Sequence, residues 1–206
     1  MLPKSWLMEQ QLSWNKIEKI KEFVIRECDD FDYRYHLLPV VQYAQKLAET
    51  CNANKEVVEL SAWLHDIGRI KFGPENHEVT GAKEAEKILK QFGYSEEIIA
   101  QVRHCILCHR GSGSICPQTI EAEVLTTADA MAHLELFPAL LAAAEKSGEV
   151  INDKICRWIY EKIERDWNKK MLIPEAKEAA KEKYEAIKLA LKSRMGNSSN
   201  QGQRPI

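Results

Sequence analysis

The segment KEVVELSAWLHDIG, residues 55 to 68, limits what this chain can fold into more than any other stretch. From Val57 onward it is apolar nearly all the way round a helix, which predicts a buried helix. Such a helix needs several others around it. Its end is polar: His65 and Asp66 stand together, just before a Gly68 that can stop a helix. Ionisable side chains are costly in a core unless they are paired or hold a metal. Two adjacent helical residues project about 100° apart, yet both can reach one ion at a helix end, where the chain turns away.

The rest of the chain supplies the neighbours. Strand-like alternation is almost absent and glycine is scarce, 9 in 206 residues, so helices dominate the reading. Helical patterns cover residues 13 to 28, capped by Ser13 and striped with Ile17, Ile20, Phe23 and Val24, then about 36 to 51 with Pro39 in the first turn. Others cover 55 to 66, about 78 to 91 closed by Gly93, and 95 to 109 opened by Ser95. A sixth starts near Thr119 and runs through EVLTTADAMAHLELF, with Pro138 bending or interrupting it. A seventh covers 147 to 171, and Pro174 opens an eighth to about Met195. The expectation is an all-α chain with a single domain over 1–192. Its core spans about 35–136, its C-terminal helical extension about 147–195, and 196–206 is a disordered tail. Ala180, Tyr184, Ile187 and Leu191 stripe the last helix, which either packs on the domain, the favoured reading, or makes a dimer. Monomer and homodimer both stay open.

With a formal net charge of -2 nothing demands a polyanionic partner, so no strong nucleic-acid signal is read, and a local basic pocket stays open. No uninterrupted apolar run approaches about 18 residues, which predicts no membrane span. The N-terminal stretch lacks the apolar region and cleavage site of a signal peptide, so the expected location is the cytoplasm and the six cysteines are expected as thiols.

Ionisable residues in apolar surroundings mark a candidate site. His36, His65, Asp66, His77 and His109 all fall at expected helix ends, where a bundle can converge side chains on one pocket, and Asp129 lies within ADAMAHL. Imidazoles with carboxylates suit borderline to hard divalent metals. Any one of these alone has an ordinary structural explanation: a hydrogen-bonded core histidine, a cap, an ion pair. Together, His36, His65, Asp66 and Asp129 favour the metal.

The segments RYHLLPVVQYAQKLAE, ELSAWLHDIGRIKFG, NHEVTGAKEAEKILKQFG, VRHCILCHRG and LTTADAMAHL resemble the HD-domain superfamily of metal-dependent phosphohydrolases, in an HDIG-type variant. The resemblance implies a helical bundle of five core helices, here with extra N- and C-terminal helices. It implies a divalent ion (Mn, Mg, Co, Ni, Fe or Zn) held by His36, His65, Asp66 and Asp129, with a possible second ion at His77 and His109 bridged by Asp66. The implied activity is hydrolysis of a phosphate ester, a nucleotide above all, by metal-activated water, as a phosphomonoesterase or phosphodiesterase. Asp66 and Arg69 take catalytic roles, and Arg69, with Lys71 and Arg110 as weaker candidates, binds the substrate phosphate. The chain has RGSGSICPQ where cyclic di-GMP hydrolases of the family carry a Gly-Tyr-Pro element, which argues against that substrate. Two alternatives stay alive: a non-catalytic nucleotide-binding signalling module, and a di-iron oxygenase acting on a polyol or phosphonate.

VRHCILCHRG also matches C-x-x-C-H, the attachment pattern for c-type haem. A thiol-reducing location and the lack of a second cysteine pair argue against haem and zinc. Ile98, Val102, Cys105, Ile106 and His109 share one apolar stripe, which turns His109 toward the core. His104 falls on a more polar stripe, facing solvent or a neighbouring helix. His133, one turn after Asp129, either supports the site or faces solvent.

Overall fold

The computed structural model describes residues 4–111, 113, 115–147 and 151–197, with side chains described from residue 16 to 195 of these. The expected tail lies almost wholly outside them. The elements are α1 (Lys4–Glu27), α2 (Asp30–Asp32), a π-helical turn (Tyr33–Leu37), α3 (Leu38–Thr50), α4 (Lys55–Leu64), α5 (Ile67–Phe72), α6 (His77–Gln91), α7 (Glu96–Cys108), α8 (Ile120–Ser147), α9 (Asp153–Lys169) and α10 (Pro174–Asn197). No strand occurs among the described residues. The fold is all-α, as expected.

α4 is the buried axis. Asn54 starts it by accepting hydrogen bonds from the Glu56 and Val57 amides, and Val57, Val58, Leu60, Ala62 and Leu64 are all fully buried. α1, α3, α7 and α8 surround it. The chain then departs from the sequence reading. It does not stop at Gly68 but turns at His65-Asp66 into the short α5, with Asp66 at the N-cap position and its side chain free of any capping bond.

Gly68 has a packing role instead. A Cβ there would stand 2.3 Å from the His77 carbonyl oxygen and 2.4 Å from the Gly81 nitrogen, and a Cβ on Gly81 would stand 3.3 Å from the Gly68 nitrogen. The two glycines let α5 and α6 touch backbone to backbone, and this brings the start of α6 over Asp66. Gly73, at φ +92°, and Asn76, at φ 47°, turn the chain between the two helices.

His36 also sits differently from expectation. It lies on the π turn that precedes α3, not on the α-helix itself. Asp29 opens this region by accepting from the Phe31 and Asp32 amides. A π turn inside a helix commonly accompanies a functional site.

α8 runs through Pro138 without interruption. By length and composition it could cross a membrane, yet its stretch from Ala122 to Phe137 is largely buried, packed in the first cluster with α3, α4 and α7 and in the second with α9 and α10. Two hydrophobic clusters share it. One joins α1 and α3 to α8, and the other gathers Phe137 with Cys156, Ile159 and Ile163 of α9 and Ala180, Tyr184, Ile187 and Leu191 of α10. The stripe read on α10 is thus buried within the molecule. Each fully buried aliphatic side chain contributes about 1.5–3 kcal/mol, so Ile159, Ile163 and Leu191 seat α9 firmly beside α8.

Candidate metal centre

Four buried side chains meet at the centre. The π turn brings His36, the α4–α5 turn brings His65 and Asp66, and the middle of α8 brings Asp129; none is more than 6% exposed. His36 Nε2 stands 3.2 Å from His65 Nε2, 3.3 Å from Asp66 Oδ2 and 3.5 Å from Asp129 Oδ1. Beside this group, the first residue of α6 and the residue after α7 form another. His77 Nε2 and His109 Nε2 are 3.2 Å apart, and they lie 3.6 and 3.8 Å from Asp66 Oδ1. Asp66 therefore turns one oxygen to each group.

The ring tautomers show what these groups suit. His65, His77 and His109 each place Nδ1 2.6–3.0 Å from the carbonyl oxygen three residues earlier, on Ala62, Pro74 and Ile106. A neutral ring that donates through Nδ1 has a lone pair on Nε2. With both rings neutral, His77 and His109 aim two lone pairs at each other, a contact that a cation between them would relieve. Two nitrogens bound to one ion at roughly 2.0–2.1 Å stand about 3.0–3.4 Å apart, which matches the separation seen. Fixing a ligand histidine through its far nitrogen is also how protein metal sites set tautomer and orientation. His36 is the exception: its buried Nδ1 has no hydrogen-bond partner among the described residues.

The surrounding charges keep the donors in ligand form. Burial pushes the Asp66 carboxyl up, but His65, His36 and Arg69 outweigh it and hold it well below the usual carboxylate range. Asp129 is treated alike: burial opposes ionisation, and His133, Lys170, His36 and His65 overcome it. Burial, with His65 adding to it, pushes His109 down to about 3, so its ring is neutral.

The predicted phosphate-binding cations are largely committed elsewhere. Arg69 lines the cavity, but its guanidinium donates to Asp66 Oδ2 at 2.7 Å and to Asp32 Oδ2 at 2.8 Å, which makes it a brace for the Asp66 carboxylate. Arg110 also lines the cavity and pairs with Glu78 at 2.9 Å. Lys71 requires a correction. It does not line the cavity, because it follows α5 away from the site to a 2.5 Å ion pair with Glu84 of α6. His104 is turned from the centre too: its ring accepts from the Gln118 amide and lies beside Cys108. Cys105 and Cys108 are buried thiols.

The end of α9 supplies what the sequence reading missed, Asp166 and Lys170. Lys170, 2% exposed, donates to Asp129 Oδ2 and leaves Oδ1 facing the histidines. Burial works against its charge, while Asp129 and Asp166 raise its pKa. Its stem lies on Gly111, where a Cβ would come within 2.9 Å. His133 is buried, not solvent-facing, with Nδ1 2.9 Å from Asp166 Oδ2 and Nε2 3.6 Å from Asp129 Oδ1. With His36 and Asp129 it forms a third group whose donor atoms converge closely enough to hold an ion. The spacing of His133 from Asp129, one helical turn, was a visible signal. Lys170 had none, since it ends the stretch DWNKK, whose charged residues read as a solvated face.

Over these residues opens a cavity of about 390 Å³. That volume suits a small molecule. The family model of the HD domain matches residues 33–134. A deoxyguanosinetriphosphate triphosphohydrolase-like protein of Caldanaerobacter subterraneus is 28% identical over 129 residues, 56% of this chain and 38% of that protein. The chain spans about half or less of the length of the curated relatives it matches. Bacillus subtilis YpgQ, solved in complex with ADP, superposes with a TM-score of 0.67 at 22% identity, over 93% of this chain and 98% of that one. An HD-superfamily hydrolase of Bacillus thuringiensis superposes with a TM-score of 0.65 at 24% identity, over 92% and 100%. At these identities the likeness is one of fold, and it extends well past residue 134 into the C-terminal helices.

Proposed function

The chain belongs to the HD-domain family, and from that premise we propose that it is a metal-dependent hydrolase of a small phosphate ester, a nucleotide. The observation that carries the reading is the pair of donor groups sharing Asp66, with the Nε2 atoms of His77 and His109 3.2 Å apart. His36, His65, Asp66 and Asp129 would hold one divalent ion, and Asp66, His77 and His109 a second. Such ions lower the pKa of bound water and polarise a phosphoryl oxygen.

The chain's own residues prepare that chemistry. Arg69 fixes the Asp66 carboxylate, and Lys170 fixes Asp129 from the opposite side. Asp166 holds the His133 ring so that its Nε2 faces the same oxygen of Asp129 as His36 does. The buried floor limits water to what enters through the cavity mouth. The nucleotide reading is supported by the triphosphohydrolase-like relative and by the ADP seen in the complex of similar fold.

Metal analysis of the purified protein, with phosphate and diphosphate release measured on nucleoside mono-, di- and triphosphates and an aryl phosphate, tests the proposal. The expected result is bound divalent metal and turnover stimulated by Mn²⁺, Co²⁺, Ni²⁺ or Mg²⁺. Absence of turnover with all four ions would reject it. Nucleotide binding without turnover would mark a signalling module, and bound iron with oxygen consumption an oxygenase.

A further inference from the structure

The cavity is lined by five lysines and arginines, and four of them are already paired with carboxylates. Arg69 pairs with Asp66 and Asp32, Arg110 with Glu78, Lys162 with Asp166 and Lys170 with Asp129. Arg165 of α9 is the fifth. It is half-buried in the wall and makes no ion pair or hydrogen bond among the described residues. A guanidinium has a fork of donors suited to an oxyanion, and this one faces a cavity with no protein anion assigned to it.

An aromatic route leads outward along the same wall. The His36 and His133 rings stack with centroids 5.0 Å apart and planes 11° apart, and His133 stacks on Phe137 at 5.6 Å and 20°. Phe137 then meets Trp158 edge-on at 5.9 Å. The series starts at a ligand histidine and ends at the cavity mouth, where the Trp158 indole is 54% exposed. Trp158, Lys162 and Arg165 recur at helical spacing, so one face of α9 presents a ring at the mouth and cations deeper in. A large exposed indole beside a cation-lined cavity is a natural platform for a flat heteroaromatic ring.

We propose that this face of α9 is the nucleotide-recognition surface of the site: Arg165 takes the phosphate chain, and Trp158 stacks on the base. The assignment rests on the nucleotide phosphohydrolase reading and adds to it a demand for an aromatic base. It also moves phosphate recognition from the HD core to the C-terminal extension.

Binding of two non-hydrolysable probes to the Mn²⁺-loaded protein, measured by calorimetry, separates the parts. α,β-Methylene-ADP carries base and phosphates, whereas methylenediphosphonate carries only the phosphorus groups. Trp158→Ala is expected to weaken α,β-methylene-ADP roughly tenfold and to leave methylenediphosphonate within about twofold, an unaltered affinity being the mark of no stacking. Trp158→Phe should recover most of the loss. Arg165→Ala is expected to weaken both probes roughly tenfold, with melting temperatures near that of the parent, since the two residues are not core. Unchanged α,β-methylene-ADP affinity in Trp158→Ala, or unchanged affinity for both probes in Arg165→Ala, overturns the proposal while nucleotide turnover by the parent protein leaves the hydrolase reading standing. A parent protein that binds neither probe and turns over no nucleotide overturns both.

Discussion

The floor and the α9 wall of the cavity are built on opposite rules. On the floor most ionisable groups are tied to a protein partner: Arg69 to Asp66, Lys170 to Asp129, and three histidines to backbone carbonyls. On the wall Trp158 is exposed and Arg165 has no described partner. Ordering costs entropy, and a group already held in place loses none when it reacts. A tied floor therefore suits a fixed reaction, and a wall with free groups suits choice of what is bound. The wall also carries the floor's support, because Lys170 and Asp166 reach across from α9 to Asp129 and His133.

The comparison can be broken most severely at Asp66. Asp66→Ala removes the one side chain facing both donor groups, and turnover should fall on the order of a thousandfold, with metal content dropping at both sites by elemental analysis. Retention of full metal stoichiometry would count against the shared role.

Lys170→Met tests whether the wall holds the floor. It strips Asp129 of its cation, so metal affinity should fall about 10- to 100-fold. The metal-free protein should lose about 3–5 kcal/mol, the cost of a buried charge left alone, as judged by urea unfolding. Added divalent metal should restore part of that stability. An unchanged unfolding midpoint would make the Lys170 contact incidental.

Gly68→Ala acts within the floor alone. Its Cβ would collide with the His77 carbonyl and α6 backbone, at a cost of about 1–3 kcal/mol. His77 should then lose its place over Asp66 and bound metal should decline by up to one ion per chain. His77→Ala should lower the count without the loss of stability, and identical stoichiometry in both variants and the parent would exclude a second ion there.

The smallest effect concerns the thiols. Burial pushes Cys105 up to about 12 and, with Cys116 adding to it, Cys108 up to about 11, whereas Cys116 is exposed. Only the thiolate reacts with alkylating agents. Near pH 8 iodoacetamide should therefore label Cys116 and spare Cys105 and Cys108, read by mass spectrometry. Fast labelling of Cys105 would mean that α7 does not pack as described.

Most of the floor was legible because its residues break a local rule. A histidine and an aspartate at the end of an all-round apolar helix, or an aspartate inside ADAMAHL, have no place in a core without a partner, and that conflict is visible in one dimension. The glycines of α5 and α6 were less legible. Gly68 reads as a helix stop, and only the approach of α6 gives it another role. The charges of α5 and α7 misled more, since a basic residue near a site looks the same whether it faces the cavity, as Arg69 and Arg110 do, or a carboxylate on the next helix, as Lys71 does.

By itself, then, the sequence determined the helical class, the burial of α4 and the residue types able to hold a metal, because helical periodicity and misplaced polarity are local properties. The tertiary structure decided which of those residues share an ion-sized space, which cations are already paired, and that α9 closes the site. Asp129 and Lys170 lie 41 residues apart, and no periodicity spans that distance. Their meeting depends on apolar packing between α8, α9 and α10, whose stripes state that the helices will be covered but not which charged edge will end up beside which.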